Sequence, residues 1–156
     1  MAEETPKHWI LVSSVDNWQK TVDRNFTLQG MKSRQRKKAE QMKPGDKFIY
    51  YVTGLKAFAG ITTVTSTYYE DHTNQIWTSG NAKKADEDYP FRVEIKKDLA
   101  LSREDFVPAE GLARQMIYAS KWPAQHWTLA FQGNVHLIPE EDYTLIRTAI
   151  ETAGPA

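Results

Sequence analysis

No cysteine occurs in the 156 residues, so disulfides and thiolate-held metals are excluded. No apolar run approaches the roughly 18 residues that a membrane span requires. The opening MAEETPKHW has no basic stretch followed by an apolar one, so no secretory signal is expected and the expected location is the cytoplasm. Neither sign of charge is in excess, with 20 basic and 20 acidic residues. Catalytic signatures are also missing: there is no G-x-S-x-G, Walker or G-x-G-x-x-G motif. The four histidines (His8, His72, His126, His136) are scattered, without the spacing of a metal site. Asp71–His72 reads as a turn pair, not a general acid and base. No enzyme activity, cofactor or metal is therefore expected.

What the chain does have is aromatic residues and a segregated charge. Five Trp, seven Tyr and six Phe, in a chain that is 40% hydrophobic, suffice for one buried core and argue against disorder. One domain is expected over 1–156, ordered from about 7 to 152. Residues 32–47 hold seven cations (Lys32, Arg34, Arg36, Lys37, Lys38, Lys43, Lys47) against Glu40 and Asp46. Residues 140–151 hold Glu140, Glu141, Asp142 and Glu151 against Arg147. A neutral protein with one basic region can still steer a polyanion. The alternative is a solvated helix face.

WILVSS (9–14) reads as a strand. Asp16, with Gln19 three residues later as its capping-box partner, is the expected cap of the segment from Val15 to about Phe26, a short helix or irregular turn. Gly30 breaks TLQGM. KSRQRKKAEQM (32–42) has no glycine, proline or β-branched residue and predicts a helix capped by Ser33. KPGD (43–46) is a turn. KFIYYV (47–52) and AFAGITTVTSTYY (57–69) predict a hairpin, with Gly60 marking a bulge or a close approach. Residues 70–90 read as a loop and FRVEIKK (91–97) as a half-buried strand. A short helix is predicted from Pro108 to about Ser120. HWTLAF (126–131) and VHLI (135–138) predict a second hairpin. Pro139 starts a terminal helix with an acidic first turn. No β–α–β alternation is present. The class is α+β, a small bent barrel decorated by helices.

Tyr50 and Tyr51 are adjacent on a strand and point to opposite faces, so one belongs to the core and the other can be displayed. Trp18 and Trp77 fall outside predicted strands. Aromatics near a basic helix are what single-stranded nucleic acid or a flipped base requires. The competing reading places each ring in the core.

Several stretches together resemble a known family. They are Trp9 and Ser13–Ser14, then Asn17–Trp18, Gly30–Met31, MKPGD at 42–46 and the tyrosines 50–51. G-x-x-x-V-x-S (Gly60 to Ser66), Phe91–Arg92 and a tail from Gly133 to Ile146 complete the set. This pattern resembles the EVE domain family of the PUA-like superfamily, over nearly the whole chain. The resemblance implies a mixed β pseudobarrel with flanking helices. It also implies a relation to YTH domains, which hold a methylated adenine in an aromatic cage. EVE domains are regarded as readers of modified bases in RNA or DNA.

Carried over, the pocket comprises Ser13, Ser14, Asn17, Trp18, Gly30 and Met31, with Tyr50 or Tyr51 and with Trp77 as a further wall. Lys32, Arg34, Arg36, Lys37 and Lys38 are then the contacts to the nucleic-acid backbone. The other readings are a binder of a free nucleobase or another small planar ligand, and an enzyme acting on a nucleotide.

Overall fold

The computed structural model describes residues 5–78 and 88–154. Part of the loop expected at 70–90, residues 79–87, therefore lies outside the described residues. The strands are β1 (His8–Ser13), β2 (Leu28–Met31), β3 (Lys47–Val52), β4 (Ala57–Val64), β5 (Tyr69–Glu70), β6 (Phe91–Ala100), β7 (Val107–Pro108) and β8 (Val135–Ile138). The α-helices are α1 (Val15–Asp23), α2 (Arg36–Ala39), α3 (Glu110–Ala113) and α4 (Glu140–Ala153). The sheet order is β2-β6-β4-β3-β1-β8, with β5 added to β6 and β7 to β4. β1 and β3 run parallel and their other neighbours antiparallel. The sheet curls into a half-barrel with helices around it, in agreement with the expected α+β class. No helix among the described residues is long and apolar enough to cross a membrane.

The period-two alternation of the central strands divides the interior into two cores. Ile10, Val12, Ile49 and Tyr51 point to one side, where Tyr143, Ile146 and Ile150 of α4 cover them. Trp9, Leu11, Phe48, Tyr50 and Val52 point to the other, packing on Trp18, Phe26 and the β6 residues Phe91, Val93 and Ile95. Both faces of β1 and β3 are thus covered, which accounts for their nearly continuous apolar runs. Tyr50 and Tyr51 do face opposite ways, but both are buried. The expectation that one is displayed is not met.

MKPGD has a structural role. Asp46 is buried in the turn and accepts hydrogen bonds from the Lys7 backbone N–H (3.0 Å), Trp9 Nε1 (3.0 Å) and the Lys43 backbone N–H (3.3 Å). It thereby fastens the segment ahead of β1 to the start of β3.

Several expectations are corrected. Ser14 caps α1, its Oγ accepting from the Asn17 backbone N–H at 3.1 Å, while Asp16 is exposed in the first turn. Residues 32–42 give only a 3₁₀ turn at Ser33–Gln35 and four α-helical residues, with no side-chain cap. Of that segment only Ala39 and Met42 are buried after Met31, too narrow an apolar stripe to hold a longer helix. Gly30 lies inside β2 and does not break a helix. The long strand from 57 ends at Val64. Residues 126–131 belong to a 3₁₀ segment, Ala124–Phe131, kinked at His126, and β8 pairs with β1 instead. A short apolar run does not distinguish strand from helix by itself.

The position of the cap yields a stability prediction. Ser14→Ala is expected to lower stability by ~1 kcal/mol, the usual cost of a lost N-cap. Asp16→Ala loses only the dipole interaction, ~0.3–1 kcal/mol at low salt. Urea melts of both variants check this, and a larger loss for Asp16→Ala would move the cap.

Candidate nucleic-acid binding site

The pocket forms where β1 gives way to α1. Val12 and Ser13 end the strand, Ser14 turns the chain, and Asn17 follows one helical turn later. The facing wall is Lys32, which follows β2, and Tyr89, which leads into β6. Thr53 and Gly133 border it from the β3–β4 and 3₁₀–β8 connections, and Thr78 closes one side. The cavity measures about 140 Å³. A cavity of roughly 150 Å³ accommodates benzene, so this one admits a single planar ring.

Its polar groups are largely preset. The Ser14 hydroxyl is occupied by the cap. The Ser13 hydroxyl makes no hydrogen bond among the described residues, although the residue is buried. Asn134, also buried, holds the pocket's base together. Its Oδ1 accepts from the Lys32 backbone N–H at 3.0 Å, and its Nδ2 donates to the Val12 carbonyl at 3.2 Å. One side chain thus joins the start of the basic segment to β1.

A strap at residues 71–78 closes the flank. Asn17 Nδ2 donates to the Thr78 carbonyl at 2.9 Å, and the Thr78 N–H donates to Asn17 Oδ1 at 3.0 Å. Lys20 Nζ adds a bond to Thr78 Oγ1 at 3.1 Å. Trp77 is buried against Gly30, and its Nε1 donates to Thr21 Oγ1 at 3.0 Å. The Arg92 guanidinium lies 5.5 Å from the Trp77 ring centre. It also donates to Asp71 Oδ2 (3.1 Å), to the Tyr89 carbonyl (3.4 Å) and to the Asn74 carbonyl. Hydrogen bonds from Thr73 hold the Asp71 carboxyl below its ordinary range. His72 bridges Glu70 and Asp88, and these two carboxylates raise its pKa. Arg92 is therefore the hub that fixes strap, Trp77 and Tyr89 together.

The residues proposed from sequence divide. Ser13, Ser14, Asn17 and Lys32 converge on the cavity. Trp18 does not: it is 4% exposed, with its ring centre 5.1 Å from Tyr50, 5.6 Å from Phe26 and 6.0 Å from Phe106. Met31 and Tyr50 are core residues as well. The Tyr50 hydroxyl donates to Gln29 Oε1 at 2.9 Å and accepts from Thr62 Oγ1 at 3.2 Å. Tyr51 borders a neighbouring cavity. Gly30 and Trp77 pack on each other, and neither lines the cavity. Among the described residues, one aromatic ring, Tyr89, lines the cavity.

The cations divide too. Arg34 and Lys37 are exposed. Arg36 lies 3.4 Å from Glu70 and faces the Phe91 ring at 5.6 Å. Lys38 donates to the Val135 carbonyl, and partial burial lowers its pKa. Lys32 is the cation at the pocket itself, 5.9 Å from the Tyr89 ring centre.

Tyr89, Thr78, Thr53, Gly133 and Arg92 are not among the residues that the sequence points to. Arg92 has a visible signal: it sits in a strictly alternating strand, on the face opposite Phe91, Val93 and Ile95. Nothing local marks that face as one covered by a strap.

A curled mixed sheet forming a half-barrel with helices around it is the fold of the PUA-like YTH and EVE domains. The EVE domain model matches residues 7–149, and the chain belongs to that family. A UPF0310 protein of Pyrococcus horikoshii is 29% identical over 149 residues, covering 89% of this chain and 95% of the relative. Solved structures share the fold, among them two with nucleic acid bound. The YTH domain of the Zygosaccharomyces rouxii MRB1 protein, in complex with N6-methyladenosine RNA, has a TM-score of 0.63 at 13% identity, covering 100% of this chain and 92% of that one. Human THYN1 protein, in complex with 5-methylcytosine-containing DNA, has a TM-score of 0.56 at 15% identity, covering 96% and 99%.

Proposed function

We propose that this protein binds nucleic acid and holds one modified base in the cavity between Ser13, Asn17, Lys32 and Tyr89, without catalysing a reaction on it. The supporting observation is the cavity: it has the size of one ring, an available hydroxyl at Ser13, a cation at Lys32 and an aromatic at Tyr89. Two proteins of the same fold were solved with a methylated base in their nucleic acid.

Energetics restrict the ligand. Extruding a base from a duplex costs a few kcal/mol, and less where it is already unpaired. Stacking on one aromatic returns ~1–3 kcal/mol. With Tyr89 as the single ring, the site favours an unpaired strand over a duplex. One added methyl contributes only about 0.8 kcal/mol, roughly fourfold in affinity. Greater selectivity requires a shape clash or an unpaired polar group against the plain base. This reading assigns that part to the Ser13 hydroxyl.

The test is a titration of matched single strands carrying N6-methyladenine, 5-methylcytosine or the plain base. At least about tenfold preference for one modified strand is expected, ~1.4 kcal/mol. Ser13→Ala should reduce that preference. Neutralising Arg34 and Lys37 should weaken all strands alike and flatten the salt slope by ~0.7 for each phosphate no longer neutralised. Equal affinity for every strand overturns the reading. The single-ring volume also suits a free nucleobase. That alternative is favoured if the free nucleoside binds as tightly as the strand and the salt slope is zero.

A further inference from the structure

A second cavity, of about 290 Å³, adjoins the first. The two share Val12, Thr53 and Gly133 as a common wall. Gly133 has φ 89°, and a Cβ built on it would meet only the His136 ring, at 4.0 Å. No side chain rises from that point of the divide.

The second cavity has a different chemistry. Val12, Tyr51 and Phe131 line it, and the Tyr51 and Phe131 rings stack at 4.5 Å and 16°. Tyr51 is 2% exposed, yet its hydroxyl has no hydrogen-bond partner among the described residues. Burial pushes its pKa up to about 12, so the hydroxyl remains a donor at neutral pH. Lys56 also lines the cavity and is exposed. Its backbone is left-handed, with φ 51°. Hydrogen bonds fix it there: its N–H donates to the Thr53 carbonyl at 3.3 Å, and its carbonyl accepts from the Ala109 N–H at 3.0 Å. A lysine in this uncommon conformation is held by its surroundings.

A wall that mixes apolar side chains (Val12, Tyr51, Phe131) with polar ones (Thr53, Thr128, Gln132), one donor without a partner among the described residues and a cation at the edge match the parts of a nucleotide: a ring with polar edges, an acceptor atom and a phosphate. The adjoining pocket takes one ring and has room for nothing more. We propose that the second cavity is a subsite for the nucleotide next to the base held in the first, with Tyr51 donating to it and Lys56 facing the phosphodiester between them. This rests on the base-binding reading above and extends the recognised unit to a dinucleotide step.

The first test alters the ligand and leaves the protein intact. The probe is a short single strand carrying N6-methyladenine or 5-methylcytosine, whichever wild type binds more tightly. It is compared with strands whose neighbouring nucleotide is abasic on the 5′ or the 3′ side. One abasic strand should bind about tenfold more weakly, ~1.4 kcal/mol, and the other about as well as the intact strand. Lys56→Asn keeps a residue that tolerates φ > 0 and removes the charge. It should weaken the intact strand and flatten its salt slope by ~0.7. Gln132→Trp, at an exposed position lining the second cavity, should abolish the difference between the intact and the sensitive abasic strand.

Affinities within twofold for both abasic strands, or an unchanged salt slope in Lys56→Asn, overturn the subsite. If wild type binds the free modified nucleoside as well as any strand, the subsite fails while the first pocket stands as a small-ligand site. If wild type binds none of these probes, both readings fail.

Discussion

Trp18→Ala is expected to destabilise the protein by ~3–5 kcal/mol, the range for deleting a buried tryptophan. The indole is 4% exposed and packs between Tyr50, Phe26 and Phe106. The backbone opposite is shaped to receive it: a Cβ at Gly60 would lie 3.1 Å from Trp18 Cη2 and 2.6 Å from the Leu99 carbonyl. Little in that surround can collapse into the space, because β3, β4 and β6 are hydrogen-bonded to one another along most of their length, with one register shift in each ladder. At roughly 2–4 °C per kcal/mol for a chain of this size, the melting temperature should fall by roughly 6–20 °C. Ligand affinity, measured well below the transition, should change far less. A variant that melts like wild type but no longer binds would put Trp18 back in the pocket.

Trp18 also shows what a sequence can and cannot convey. The motif Ser14-x-x-Asn17-Trp18 falls at a helix start and beside a cavity, and helical geometry then separates its members. Asn17, Trp18 and Thr21 are all buried, but Asn17 reaches the strap while Trp18 points into the second core. Strand alternation is legible in β6, where a period of two is written directly into the apolar pattern. β1 and β3 read instead as short, nearly continuous apolar runs, the mark of strands covered on both faces, and the expectation of a displayed tyrosine overlooks that mark. The basic segment is legible as charge but not as form. Its cations include Lys38, which serves the Val135 carbonyl, and Arg36, which is paired with Glu70. The strap is the least legible part. Its anchors are Asn17, Thr21 and Arg92, each distant in sequence from Trp77 or Thr78, and a single chain gives no sign of such pairings.

That strap is where a small change should have a large effect on binding. Gly30 lies in β2 directly beneath Trp77, and an added Cβ would sit 2.4 Å from Cε3 and 2.6 Å from Cζ3 of the indole. These atoms are not the free end of a flexible chain. The ring is 1% exposed, bonded through Nε1 to Thr21 at 3.0 Å and faced by the Arg92 guanidinium at 5.5 Å. The Tyr89 carbonyl, 3.1 Å from the added atom, leaves the methyl little room on its other side. Gly30→Ala must therefore displace the indole, and overpacking of this kind costs ~1–3 kcal/mol. Trp77 is joined to Thr78, whose backbone is held by Asn17, so the displacement reaches the pocket wall itself. The expected result is a modest loss of stability with at least about tenfold weaker binding of the preferred modified strand, ~1.4 kcal/mol. Gly111→Ala is the control, because nothing lies within 4 Å of its added Cβ and the residue is helical. It should gain up to ~1 kcal/mol and leave binding unchanged. Near-ultraviolet circular dichroism reports the indole's displacement, and titration reports the pocket. A Gly30→Ala protein with wild-type affinity and an altered tryptophan signal would show that the strap does not shape the site.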